Sequence, residues 1–290
     1  AIRAPLDTPT AATEVADTLF DELGGAGTPG SVNLLFVFGS FHHRSAFDDG
    51  VDIIRKALAP KALIGVTAEA VLGNDRELDG IAGLSAIALQ FPAGVTVHPW
   101  HSTPDDPLPL SDPAALRQRL GINEQPTTNH APTSTTLFTF GDPFSTPITK
   151  LLPALNSLST KDHRIVLTGG MASGASQPGL NVLVLNDKIV HAGVIGVTVS
   201  TGNDMTIDFL VSQGCRPIGK PMIVTKCHQN VVLELGGRKA MEVLQELAQG
   251  LNESEKRLLS RGLLMGSVVN EYREHFGRRD FLVPNIMSFD

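Results

Sequence analysis

Apolar positions in this chain alternate between short β-rich runs and stripes with helical spacing. Ala12, Val15, Ala16, Leu19 and Leu23 recur every three or four residues and predict an amphipathic helix ended by Gly24-Gly25. Asn33-Leu34-Leu35-Phe36-Val37-Phe38-Gly39-Ser40 reads as a buried strand, and so does Leu63-Ile64-Gly65-Val66-Thr67-Ala68. Between them Phe47, Val51, Ile54 and Leu58 line one helix face. Asp48 and Asp49 stand near its N-terminal end, where negative charge is favourable. Residues 83–89 add a further strand.

These landmarks recur. Leu137-Phe138-Thr139-Phe140-Gly141-Asp142 matches residues 35–40, and Ile148, Leu151, Leu152 and Leu155 mark a second helix, shortened or kinked by Pro153. Val166-Leu167-Thr168-Gly169-Gly170-Met171 again reads as a strand running into a glycine turn, and residues 179–185 echo 83–89. Residues 33–89 and 136–185 are therefore expected to share one β–α–β–β order, with Gly39, Gly65, Gly141 and Gly169 at strand ends. Residues 100–136 read as a connecting excursion with a short helix near 113–120.

Downstream, Met205-Thr206-Ile207-Asp208-Phe209-Leu210 alternates like a strand. Residues 223–225 and 231–235 predict a hairpin, followed by a helix carrying Ala240, Val243, Leu244, Leu247 and Leu251 on one stripe. Asn252-Glu253-Ser254-Glu255 has capping-box spacing. Parallel strands need a crossover, and each half supplies one helix. The expected fold is α/β, with two related halves forming mixed sheets flanked by helices, compatible with a helix–sheet–sheet–helix stack.

Charge narrows the partners. A net charge of −7 argues against a polyanion binder, since phosphate contacts need clustered Lys and Arg. With a single tryptophan, Trp100, and a single tyrosine, Tyr272, base-stacking platforms are not expected. Two cysteines, Cys215 and Cys227, do not make a disulfide scaffold, and a reducing, cytoplasmic setting is the simplest reading. No apolar run approaches the roughly 20 residues of a membrane-spanning helix, and no signal peptide is visible. Both ends read as cut: the chain starts at Ala1 and stops just after a strand-like run.

Chemistry concentrates in Val211-Ser212-Gln213-Gly214-Cys215-Arg216-Pro217-Ile218-Gly219-Lys220-Pro221. Its glycines and prolines bar helix and central strand, so a thiol and a guanidinium stand on a turn. Cys215 reads as a nucleophile, a redox thiol, a haem or metal ligand, or a packed residue. Arg216 and Lys220 favour the thiolate, and His191 and His228 are the nearest bases in sequence. Thr168-Gly169-Gly170-Met171-Ala172-Ser173-Gly174 resembles an anion-cradling loop but lacks P-loop and dinucleotide spacing. Gly65 and Thr67 hold the equivalent place in the first half, and His42 and His43 follow a strand end, where ligands of open α/β sheets bind. His42-His43, His98-Pro99-Trp100-His101 and Cys227-His228 lack the paired spacing of a zinc site.

Together with residues 33–40 and 62–67, the 211–221 run resembles the FIST module, a sensory domain of bacterial signalling proteins and some eukaryotic F-box proteins. The resemblance extends from about residue 31 to the end. It implies residues 1–30 as a lead-in helix, 31–210 as the FIST N-terminal region and 211–290 as a truncated C-terminal region. It further implies binding of a small metabolite such as an amino acid, with output through a downstream signalling partner. The expected ligand contacts are Gln213, Gly214, Cys215, Arg216, Gly65, Thr67, Gly169, Gly170, Ser173, His42 and His43. No metal or cofactor is expected, haem ligation being the one cofactor reading left open. The alternative is an enzyme using a Cys215 thiolate for acyl transfer or thiol redox chemistry.

Overall fold

The computed structural model describes residues 1–4, 7–24, 30–74, 76–122, 134–161, 163–201, 205–210, 218–260, 262–268, 281–283 and 286. The chain divides into two units, Ala1–Ile207 and Asp208–Asp290. In the first, β1 (Ile2–Arg3) precedes α1 (Thr8–Glu22). β2 (Leu34–Ser40) leads through a 3-10 turn (Phe41–Ala46) into α2 (Phe47–Leu58), followed by β3 (Ala62–Ala68), the hairpin β4 (Ala70–Gly73) and β5 (Arg76–Asp79), β6 (Leu84–Leu89) and β7 (Thr96–Ser102). Then come α3 (Pro113–Arg119), β8 (Ser134–Gly141), α4 (Ile148–Asn156), β9 (Arg164–Met171), the hairpin β10 (Leu183–Leu185) and β11 (Lys188–Val190), and β12 (Val194–Thr201).

Two mixed sheets result, in the orders β1-β6-β2-β3-β10-β11 and β7-β12-β8-β9. Each is built on a parallel pair joined by a helical crossover: β2 with β3 through α2, and β8 with β9 through α4. Strand alternation sends Leu34, Phe36, Ile64, Val66, Leu183 and Leu185 of the first sheet into one core with Ile195, Val197, Val199, Phe138 and Phe140 of the second. The opposite face of the first sheet, with Leu35, Val37, Leu63 and Leu84, is covered by Val15 and Leu19 of α1 and by Val51, Ile54 and Leu58 of α2. On the second sheet, Trp100, Leu137 and Val194 pack with Leu116 of α3 and with Leu151 and Leu155 of α4. The unit is a helix–sheet–sheet–helix stack of the α/β class.

Several sequence expectations are corrected. Residues 183–185 do not take the place in the second sheet that 84–89 holds in the first. β10 pairs with β3, Val184 opposite Gly65. The strand beside β8 is instead β12, whose β-branched residues pair along the full length of β8. What recurs is β–α–β, a hairpin, then an antiparallel strand. The supposed excursion begins inside β7, whose last three residues it takes in, and Trp100 there is only 2% exposed. Pro99 is tolerated there because β7 is an edge strand. Residues 205–210 form no strand, and Leu210 is 86% exposed, because alternation without a pairing neighbour satisfies no backbone groups.

Gly65 and Gly169 lie inside strands, not at turns after them. Their absent side chains make room. A Cβ on Gly65 would meet Val184 at 3.1 Å and Val51 at 3.2 Å, and one on Gly196 would run into the Trp100 indole. Trp100 Nε1 and Thr139 Oγ1, whose residues pair with Gly196 from either side, are buried without hydrogen-bond partners among the described residues.

The second unit carries β13 (Val224–His228), β14 (Val231–Leu235), β15 (Arg238–Lys239), α5 (Ala240–Gln249), α6 (Glu253–Leu259), β16 (Ser267–Val268) and β17 (Phe281–Leu282). The expected hairpin is present, with Val231 opposite His228, and both halves of the Asn252–Glu255 capping box form. Arg238 holds the Glu246 carboxylate of α5 through two hydrogen bonds, at 2.9 and 2.6 Å.

Adjacent glycines give a paired prediction. At Gly169 φ is +142° and a Cβ would fall 1.7 Å from the Thr139 carbonyl oxygen, whereas Gly170 faces open space. Gly169→Ala should cost about 1 kcal/mol or more, and Gly170→Ala should stay within about 0.5 kcal/mol of the parent in urea unfolding. Thr139→Val, which removes an unsatisfied hydroxyl, should raise stability by about 1 kcal/mol.

Candidate functional site

Ring packing sets the direction of the two sheets. The centroids of Phe36 and Phe138 are 5.2 Å apart, and those of Phe38 and Phe140 are 5.7 Å apart, so β2 lies over β8 with the same polarity. The carboxyl ends of β2, β3, β8 and β9 therefore meet at one end of the stack. Carboxyl ends are where open α/β sheets bind ligands, because the connections leaving them diverge and expose backbone donors.

Here the first sheet is tied to the second. The buried Thr67 exchanges hydrogen bonds with Val182, whose N–H donates to Thr67 Oγ1 at 2.9 Å. The Thr67 carbonyl accepts from both Ser173 N and Gly174 N, each at 3.2 Å. Ser173 Oγ accepts from Glu69 N at 3.1 Å. The Gly65–Glu69 and Gly169–Ser173 segments singled out in the sequence thus converge through Thr67, Glu69 and Ser173.

Beside them lies a second polar knot. Asn181 is fully buried; its Oδ1 accepts from Ala175 N, and its Nδ2 donates to Asp142 Oδ1, both at 3.0 Å. The other Asp142 oxygen accepts from Ser145 Oγ at 2.6 Å and from Phe144 N at 3.2 Å. Ser145 Oγ in turn accepts from Gly193 N at 2.7 Å. His191 Nδ1 is 3.0 Å from the Asn181 carbonyl, which can only accept, so the proton sits on Nδ1 and the exposed ring keeps Nε2 available. Sequence reasoning did not single out Asp142, Ser145 and Asn181. The visible signal is Asp142-Pro143-Phe144-Ser145 after Gly141, an Asx-turn composition.

The histidines after β2 separate. Ser40 Oγ accepts from Gly83 N at 2.9 Å and lies 3.3 Å from Nδ1 of His42, whose ring is exposed. His43 is fully buried, with Nδ1 2.9 Å from Thr8 Oγ1, and is packed away from any ligand. Gly65 lies beneath α2, so it lines no surface either. Gly169 and Gly170 are exposed near the end of β9. Gln213, Gly214, Cys215 and Arg216 lie outside the described residues.

Around the polar floor the same end shows apolar side chains: Phe41 is 44%, Ile81 50% and Phe144 46% exposed. The Arg44 guanidinium lies 5.0 Å above the Phe41 ring, a cation–π contact. Among the described residues no three His, Cys, Asp or Glu gather as a metal site would require. At the opposite end a hollow of about 290 Å³ is lined by Arg55, Lys56, Lys61, Leu63, Asn186 and Asp187. Arg55 and Lys56 there are already spent on Asp52.

A model of the FIST N domain family matches residues 33–238. The chain belongs to the FIST family. It is similar to Uncharacterized protein Rv0628c of Mycobacterium tuberculosis, 30% identical over 284 residues that cover 98% of this chain and 68% of the relative. It is also similar to Uncharacterized protein Mb0898c of Mycobacterium bovis, 28% identical over 300 residues, covering 98% and 67%. The FIST N match extends beyond residue 207 and takes in β13 and β14. Among the described residues of this FIST protein, no helix is long and apolar enough to cross a membrane.

Asn181→Ala should destabilise the FIST domain by about 1–3 kcal/mol in urea unfolding, because it strands Ala175 N and one Asp142 oxygen in a buried position.

Proposed function

We propose that this FIST domain is a sensory module that binds a small molecule at the shared carboxyl ends of its strands and passes the occupied state to a partner chain. One observation carries the reading. The buried groups Thr67, Asp142 and Asn181 are engaged in bonds that hold the floor, while His42, His191, Glu69 and Arg44 stand around it with bonding capacity left over. Ligand sites have this form: a pre-set scaffold, apolar walls and a few convergent polar groups. Mixed charge and the rims of Phe41, Ile81 and Phe144 suit a small amphipathic molecule with a polar or charged head. Membership of the FIST family supports the sensory role.

Native mass spectrometry of the protein exposed to a pool of small metabolites tests this. A bound species is expected. His42→Ala and His191→Ala should each weaken it about tenfold, the loss of one good polar contact, without shifting thermal unfolding. Binding unaffected by both substitutions would move the site elsewhere.

A further inference from the structure

The joint between the start of α1 and the turn after β2 is built around a histidine with nowhere to put a second proton. His43 is fully buried in the Phe41–Ala46 turn. Its Nδ1 meets Thr8 Oγ1, and its Nε2 has no partner among the described residues. Thr8, the first residue of α1, is held on its other side by a notch in α2, where a Cβ on Gly50 would stand 2.7 Å from Thr8 Cγ2. One residue thus docks its hydroxyl on His43 and its methyl on Gly50.

We infer that this joint is a proton-operated latch, closed around neutral His43 and released at the first turn of α1 and the Phe41–Ala46 turn when the ring takes a second proton. In the neutral ring Nδ1 shares one proton with Thr8, and the other nitrogen needs nothing. In the imidazolium both nitrogens donate, and Nε2–H then points into a buried place without an acceptor; opening supplies water. Few charges face the joint. Asp7, the cap of α1, favours protonation, and His42 on the same turn opposes it. Arg44 of the turn and Asp48 and Asp49 in the first turn of α2 are the other charges near it in sequence; farther along α2 Asp52 is paired with Arg55 and Lys56, farther along α1 stand Glu14, Asp17, Asp21 and Glu22, and β2 and β3 contribute none.

Burial holds the ring below its ordinary value. The sign follows: the closed joint keeps its full stability above the unperturbed value of about 6.5 and loses it as pH falls below, by up to about tenfold in the opening constant per pH unit. The turn also carries His42 and Arg44, so on the proposed reading of the ligand site, acid and ligand would oppose each other. The latch itself does not depend on that reading.

Hydrogen exchange on the ligand-free protein between about pH 7.5 and 5.5, corrected for intrinsic rates, tests it. Opening of residues 8–12 and 41–46 should rise several-fold, up to about tenfold, at the acid end while the central strands β2 and β8 keep their protection. His43→Asn, which keeps a partner near the Nδ1 position but cannot titrate, should abolish the rise. An equal rise in the variant, a flat wild-type profile, or a rise shared by the whole unit would overturn the latch. If the variant does not fold, carbon-13 shifts of the His43 ring in the wild type decide. Titration at the unperturbed value with no change at Thr8 overturns it, and a depressed value with a coupled change at Thr8 supports it.

Discussion

The first unit depends on the contact between two sheets across a core of phenylalanines. Phe36 and Phe38 of one sheet meet Phe138 and Phe140 of the other, tilted or edge-on, the arrangement in which aromatic rings attract. The contact removes a large apolar area from water and, because Phe36 meets Phe138 while Phe38 meets Phe140, sets β2 and β8 in the same direction. Each sheet's second face is then left for a helical layer. One contact thereby settles the layering, the polarity of the strands, and the end at which their connections emerge.

Close approach is bought with glycine at chosen places. Gly39 leaves space for the Phe47 ring, Gly65 for Val184 and Val51, and Gly196 for Trp100, the largest side chain in the unit. Interiors pack at crystal-like density, so a bulky ring on one strand requires an absent side chain on its neighbour. This reciprocity also explains why glycines that punctuate the sequence like turn residues lie inside strands.

Polar residues at the carboxyl end divide into two jobs. Thr67, Asp142, Ser145 and Asn181 bond one another or nearby backbone and are consumed in holding the end together. His42, His191, Glu69 and Arg44 stand outside that knot. A buried polar network with satisfied members is rigid, and a rigid floor keeps the surrounding groups in place; on the proposed reading a ligand would meet them already ordered.

The sequence by itself determined the local elements. Capping by Asp7 and by the Asn252–Glu255 box, the stripes of α1, α2 and α5, the strands 34–40 and 137–141 and the hairpin before α5 all follow from short-range periodicity and hydrogen-bonding chemistry. It also made the segments Gly65–Glu69 and Gly169–Ser173 recognisable as counterparts, because each closes a strand of a parallel pair. Only the tertiary structure decided which strands join which sheet. β10 crosses to the first sheet, β7 and β12 complete the second, and His42 and His43, adjacent in the chain, go to solvent and to the interior. The physical reason is that pairing and burial depend on what a distant segment presents. Val184 finds Gly65 from 119 positions away, and Asn181 finds Asp142 across 39, separations over which no periodic signal carries.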